Sequence, residues 1–216
     1  PLELHAIPAA YGEFIEWQRT LLQGEEGHRL GQYWKAQLAG DLPNYDMLFD
    51  RPATTVEPSH YAWQAFHIER DLTGRLKDLA RNEGTTLYAL CLTALQILLA
   101  RYTSQEDSAV VTPVFGRSRA RFAHTVGDFV NMLVLRQRLA PESTGREVLA
   151  QTKQTVLDAL SHQEYPYARL VAETRPAHHG SRAPLAQVLF VLQEFKLLAE
   201  LDGRMDESRV AGPVGQ

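Results

Sequence analysis

Apolar positions fall at helical spacing along residues 11–22, through Phe14, Ile15, Gln18 and Leu22. A second helical pattern runs through Tyr33, Trp34, Gln37 and Leu38 to a stop at Gly40, with Glu25-Glu26-Gly27 expected to separate the two. Residues 41–59 contain Pro43, Pro52 and Pro58 with little periodicity, and read as a long loop or extended crossover. Residues 61–69 mix aromatic with polar positions and predict a strand. Asp71 or Thr73 is expected to cap a helix carrying Leu72, Leu76 and Leu79 and closed by Gly84. Thr86 opens a strongly apolar helix ending near Tyr102. Residues 109–115 and 130–139 are β-branched or apolar runs, so buried strands; the second tapers to Arg136, Gln137 and Arg138 at an end expected to be exposed. Thr144 precedes a helix with Val148, Leu149, Thr152, Val156 and Leu160 on one face. Pro166 starts a short helix through Leu170 and Val171, and residues 186–193 predict a last strand. Beyond Leu201 the chain is polar and receives no structure. This order predicts an α/β chain of at least four strands, several joined by helix crossovers.

Composition narrows the function more than the fold. At 216 residues and net charge −4, the chain is long enough for a sizeable core and has no global field to recruit nucleic acid or an acidic membrane. The longest apolar stretch, residues 87–100, is broken by Thr93 and Gln96 and is shorter than the roughly 20 residues of a membrane span. A single cysteine, Cys91, excludes an internal disulfide and a multi-thiolate metal site; between Leu90 and Leu92 it is expected to be desolvated and inert. The abrupt start at Pro1-Leu2-Glu3-Leu4, without a targeting signal, suggests a piece of something longer.

The usual catalytic signatures are missing: no GxSxG elbow, P-loop or GxGxxG. Residues 116–120, GRSRA, approach an elbow but lack its second glycine. His178-His179 are adjacent, so their side chains diverge and read as a solvated loop pair; with no HExxH, no metal is predicted. Arg117, Arg119 and Arg121 alternate after a strand and read either as a solvated loop or as partners of a phosphate or a structural carboxylate. Asn131 interrupts an apolar segment, and a buried amide must be bonded or cost ~1–3 kcal/mol. It is either a structural strap or an active-site amide. Gly127 allows a tight path just before it. Residues 162–166, HQEYP, read mainly as a helix cap and turn, with His162 favoured by the negative helix end.

In order, these segments resemble the condensation domains of non-ribosomal peptide synthetases. YGEFIEWQ at 11–18 resembles the family's YxDYAxWQ, YWKAQLAG at 33–40 its YWxxxLAG, and Asp50-Arg51-Pro52 its DRP. VTPVFGR at 111–117 is similar to GTPVxGR, and VGDFVN at 126–131 to IGxFVN. HQEYPY at 162–167 resembles HQDxPF, SRAPL at 181–185 resembles SRxPL, and Val191-Leu192-Gln193 fits FxLQ. Asp128, Met132 and residues 191–193 look most like domains from hybrid polyketide–peptide lines.

The resemblance implies a chloramphenicol acetyltransferase-like (CoA-dependent acyltransferase-like) α/β subdomain, a mixed sheet flanked by helices. The family's catalytic HHxxxDG lies upstream of YxDYAxWQ and is not in this chain, so no catalytic residue is expected here. The chain then reads as the C-terminal subdomain of a domain about twice as long, the N-terminal subdomain being absent. Residues 1–60 would be lead-in helices and crossover, 61–193 the core and 194–216 an irregular tail. The implied reaction is amide formation between a donor thioester and an acceptor amine, each carried on the phosphopantetheine arm of a carrier protein, with no cofactor bound directly. Implied partners are the N-terminal half, donor and acceptor carrier proteins and adjacent synthetase domains, in the cytoplasm. A non-catalytic docking module is the alternative. Residues expected on the substrate tunnel or interface are Asn131 and Arg117, then Gly127 and Phe129, with Ser181 and Arg182 on the donor side.

Overall fold

The computed structural model describes residues 9–43, 45, 62–174 and 185–193. In chain order the elements are α1 (Tyr11–Gln23), α2 (Glu25–Gln37), α3 (Arg70–Asn82), α4 (Leu87–Thr103), β1 (Asp107–Val114), β2 (Asn131–Arg138), α5 (Gly145–Ser161) and α6 (Tyr167–Thr174). β1 and β2 pair antiparallel, with Asp107 opposite Arg138 and Val114 opposite Asn131. On the other edge of β1, Val111 forms a parallel bridge to Leu189. Its N–H donates to the Val188 carbonyl (2.8 Å), and its carbonyl accepts from Phe190 N–H (2.9 Å).

The sheet is mixed, but the described residues hold two strands and one bridge, not four strands. Residues 62–69 form no ladder, and Trp63, Phe66 and Ile68 are exposed. Strand propensity is realised only where a neighbouring edge supplies N–H and C=O partners, and this segment has none among the described residues.

Residues opposite one another share a face of the sheet. Val110, Thr112, Leu133 and Leu135 face α4 and α5; Gln96 of α4 donates to the Leu135 carbonyl (3.4 Å) and Gln137 to the Val148 carbonyl of α5 (3.2 Å). The opposite face meets α2, where Gln37 donates to the Arg136 carbonyl at 2.8 Å. Leu30 and Trp34 of α2 and Tyr45 belong to the same core as Leu92, Val110 and Leu133, each no more than 2 % exposed.

Of the end of β2 expected to be exposed, Arg138 is exposed, but Arg136 and Gln137 are buried. Arg136 is 8 % exposed; it pairs with Asp107 (2.5 Å) and donates to the carbonyls of Ala39 and Asp41 (2.7 Å each). Gln137 is 6 % exposed and accepts from Thr152 at 2.8 Å. Polar residues at a strand end suggest a solvent-facing terminus, whereas here the C-terminal end of α2 and the α5 face cover them.

The helix boundaries follow capping chemistry. Thr86 accepts from Ala89 N–H (3.1 Å) to start α4, and Thr144 and Glu147 form a reciprocal capping box on α5. α3 begins at Arg70 with no side-chain cap, so neither Asp71 nor Thr73 caps it; the Thr73 hydroxyl turns back to the Glu69 carbonyl (3.1 Å). Its end does use Gly84 (φ +60°), and Thr85 N–H returns to the Ala80 carbonyl at 2.8 Å. The α1–α2 break lies at Gly24 rather than at residues 25–27. Gly27 sits inside α2, where a Cβ would lie 2.5 Å from Leu22 Cα, so glycine lets α2 fold back on α1. Among the described residues, no single helix is long and apolar enough to cross a membrane.

Candidate functional site

Between β1 and β2 the chain makes a long excursion, residues 115–130, that contains the GR and FVN segments. Aromatic packing anchors it. Phe122 and Phe129 form a second small core with Phe14 of α1 and Ala9, flanked by Tyr11 and Trp17. The Phe14 and Phe129 ring centroids are 4.4 Å apart, and Phe14–Phe122 are edge-on at 5.4 Å. The Tyr11 hydroxyl donates to the Asp128 carbonyl at 2.6 Å. Two glycines are required by close approach. At Gly127 a Cβ would sit 2.2 Å from the Tyr11 ring, and at Gly116 (φ +64°) it would strike the Phe129 carbonyl.

Arg117 organises this excursion from within. One guanidinium nitrogen donates to the carbonyls of Phe122 (2.9 Å) and Thr125 (2.7 Å), with a longer contact to Ala123; the other reaches Gly127 (3.4 Å). Its plane lies over the Phe129 ring, 4.1 Å from the centroid. The two following arginines find carboxylates. Arg119 makes a bidentate pair with Glu164 (2.8 and 2.9 Å), which also accepts from Ser118 (2.8 Å), while Arg121 pairs with Glu13. Arg119 and Arg121 thus have structural carboxylate partners while staying more than half exposed, and Arg117 bonds backbone carbonyls instead. The bond to Glu164 raises the Arg119 pKa further. Glu13 is held below the usual carboxylate range, first by the Ala10 amide and then by Arg121.

Asn131 stitches β2 to the α5–α6 turn. Its amide nitrogen donates to the carbonyls of Gln163 (2.9 Å) and Tyr165 (2.8 Å), and its oxygen accepts from Tyr167 N–H (2.9 Å). Beside it, the His162 ring stacks on Tyr33 at 3.8 Å. His162 Nδ1 faces the Asp158 carbonyl (2.6 Å), which can only accept, and Nε2 faces Arg29 (3.0 Å), which can only donate. The proton therefore sits on Nδ1. Burial, aided by Asp158, pushes the Tyr33 phenol up to about 12.

The polar groups of this region are thus committed to holding backbone and neighbouring side chains. The excursion exposes three large apolar side chains, Phe115 (87 %), Val126 (79 %) and Val130 (58 %), beside exposed polar ones that include Arg119, Arg121, His124 and Asp128. Asn131, Arg117, Gly127 and Phe129 come together at one end of the sheet, with Phe129 buried; Ser181 and Arg182 lie outside the described residues, as do His178 and His179. Cys91 is half-buried, and burial raises its thiol pKa. Among the described residues no group of three or more His, Cys, Asp or Glu is gathered as for a metal ion. Two contributors escaped sequence reasoning. Glu164, the anchor of Ser118 and Arg119, lay within the HQEYP segment, and Tyr11 within YGEFIEWQ, but neither string reveals a partner far along the chain.

This sheet-and-helix frame, with its ordered motifs, is that of a known family. Residues 1–212 match the model described as Condensation domain, and the chain belongs to that family. It is 39 % identical over 195 residues to a linear gramicidin synthase of Brevibacillus parabrevis, covering 90 % of this chain and 4 % of that protein. It is 35 % identical to phosphinothricin tripeptide synthetase PhsC of Streptomyces viridochromogenes, covering 94 % of this chain and 19 % of that protein. The crystal structure of SgcC5 from Streptomyces globisporus superposes with a TM-score of 0.71 at 30 % identity, over 81 % of this chain and 39 % of that one. The chain thus spans well under half the length of each of these relatives.

Proposed function

We propose that this chain forms one wall of an amide-forming condensation site. A donor thioester and an acceptor amine, both on carrier-protein phosphopantetheine arms, would meet between it and an N-terminal half that bears HHxxxDG. The observation that carries the reading is a well-anchored loop that exposes three large apolar side chains. Residues 116–131 are fixed by Arg117, Tyr11 and Asn131, yet Phe115, Val126 and Val130 stand in solvent. Large apolar side chains held in solvent by so firmly anchored a loop fit a partner surface. Because Asn131, Arg117 and His162 already spend their hydrogen bonds within the chain, proton transfer falls to the other half, and this wall contributes orientation. By itself the chain then gives no turnover. The same commitment of polar groups favours a second reading, a docking module for carrier or neighbouring domains without chemistry of its own.

Charge placed on the face tests the first reading. In the intact parent synthetase, Val126→Asp with Phe115→Asp is expected to lower amide yield at least tenfold. Carrier loading should stay unchanged, and so should the melting temperature of the isolated chain, where both side chains are exposed. Full amide yield from the double variant would remove the reading. Carrier binding by a parent that never forms an amide would leave the docking module.

A further inference from the structure

The chain closes one stretch of its sheet edge and leaves the next bare. At Ala109, on the outer edge of β1, a side chain does the closing: the Tyr45 hydroxyl accepts from the Ala109 N–H (2.9 Å) and donates to its carbonyl (3.3 Å). Two residues on, Val111 spends both backbone groups on Val188 and Phe190. The next outward position is Pro113, which has no N–H to give, and the ladder stops after that single bridge.

The bridged segment is fixed from inside. The Phe190 ring meets Tyr88 of α4 (5.2 Å between centroids), and Val188 packs against the main core. Because the Val188 carbonyl and the Phe190 N–H point at β1, the N–H and C=O of Leu189 point away from it. Neither has a hydrogen-bond partner among the described residues, and Leu189, Val191 and Leu192 are 59, 41 and 43 % exposed. Native sheets blunt such an edge with charge, proline, a bulge or a cover. Residues 185–193, LAQVLFVLQ, hold no charge and no proline. What an uncharged edge with free backbone groups recognises is another extended chain.

The direction of the segment indicates whose. The bridge is parallel, so the segment runs beside β1 toward Val114, and Val191 and Leu192 share one lining with Pro113 and Val114. The bare edge thus leads to the end of the sheet where Phe115 stands exposed, the surface already assigned to the complementary half.

We propose that the docking surface for that half includes this edge: an extended, apolar segment of the half bearing HHxxxDG adds to Leu189 as a further strand, backbone to backbone. The partner's identity rests on the condensation reading; the edge and its free groups do not.

The test uses the intact parent synthetase, with Val191→p-benzoylphenylalanine as a photo-crosslinker and mass spectrometry to map the product. The crosslink should fall within the half bearing HHxxxDG. Hydrogen exchange of the Leu189 amide should be at least roughly a hundredfold slower in the parent than in the isolated chain. Leu189→Pro removes the outward N–H and keeps both bonds to Val111, so crosslink yield should drop about fivefold or more while the melting temperature of the isolated chain holds. Leu189→Val keeps the N–H and should keep the yield.

A crosslink to residues 194–216, to a second copy of the chain or to nothing overturns the proposal. So does a Leu189 amide that exchanges equally fast in parent and isolated chain, or a yield that Leu189→Pro leaves unchanged. Loss of amide formation from a parent that still crosslinks as expected would count against the condensation reading instead.

Discussion

Asn131 ties β2 to the α5–α6 turn, with three hydrogen bonds to residues 163–167 from one short side chain. Asn131→Ala leaves two carbonyls and one amide without that partner, so a loss of roughly 2–4 kcal/mol in urea unfolding is expected. A change below about 0.5 kcal/mol would deny the strap. Gly127→Ala should cost roughly 1–3 kcal/mol in the same measurement, because its Cβ must displace the Tyr11 ring. Tyr33 and Tyr165 set an alkaline limit. Burial comes first in raising both to about 12, with Asp158 and Glu173 respectively adding to it. A phenol raised in the folded state stabilises fully below its unfolded value near 10 and loses that contribution as pH climbs toward 12. Unfolding free energy should therefore fall between about pH 10 and 12, and more shallowly in Tyr33→Phe and Tyr165→Phe; equal slopes would contradict the assignment. At this scale the sequence disclosed that Asn131 and Arg117 matter but not to whom they bond. Both roles offered for Asn131 need a buried amide, and only the fold brings residue 131 to residues 163–167.

The elements were more legible where capping and periodicity act locally. Thr86, Gly84 and Thr144 mark their helix ends in the chain itself, and the apolar runs of β1 and β2 are strands as expected. Residues 62–69 mislead because a strand is completed by its neighbour, which a pattern of apolar residues does not contain, whereas residues 186–193 do meet the edge of β1, through one parallel bridge at Leu189. Arg136 misleads for a related reason. A charge at a strand end reads as solvated unless one knows that Asp107 and the end of α2 close over it. Its burial makes a sharp prediction. Arg136→Met should destabilise by roughly 3–5 kcal/mol, since it strands the Asp107 carboxylate, while Asp107→Leu with Arg136→Met should lose distinctly less. Equal losses in single and double variants would mean that the pair is not the link between β1, β2 and α2.

On the scale of the whole molecule, a well-packed sheet with α2 on one face and α4 and α5 on the other carries an anchored excursion that exposes Phe115, Val126 and Val130. Such a surface favours association. Sedimentation velocity of the isolated chain should show concentration-dependent self-association that Phe115→Ser with Val126→Ser reduces. The central claim is that this face works only against a complementary half. Its most direct measurement titrates the chain into a fixed amount of a condensation half bearing HHxxxDG, with loaded donor and acceptor carriers present, and follows amide product. The account predicts no product from either half alone and a saturable rise on mixing, displaced to higher concentration by Phe115→Ser with Val126→Ser. Product from this chain alone, or none at saturating chain, would contradict it.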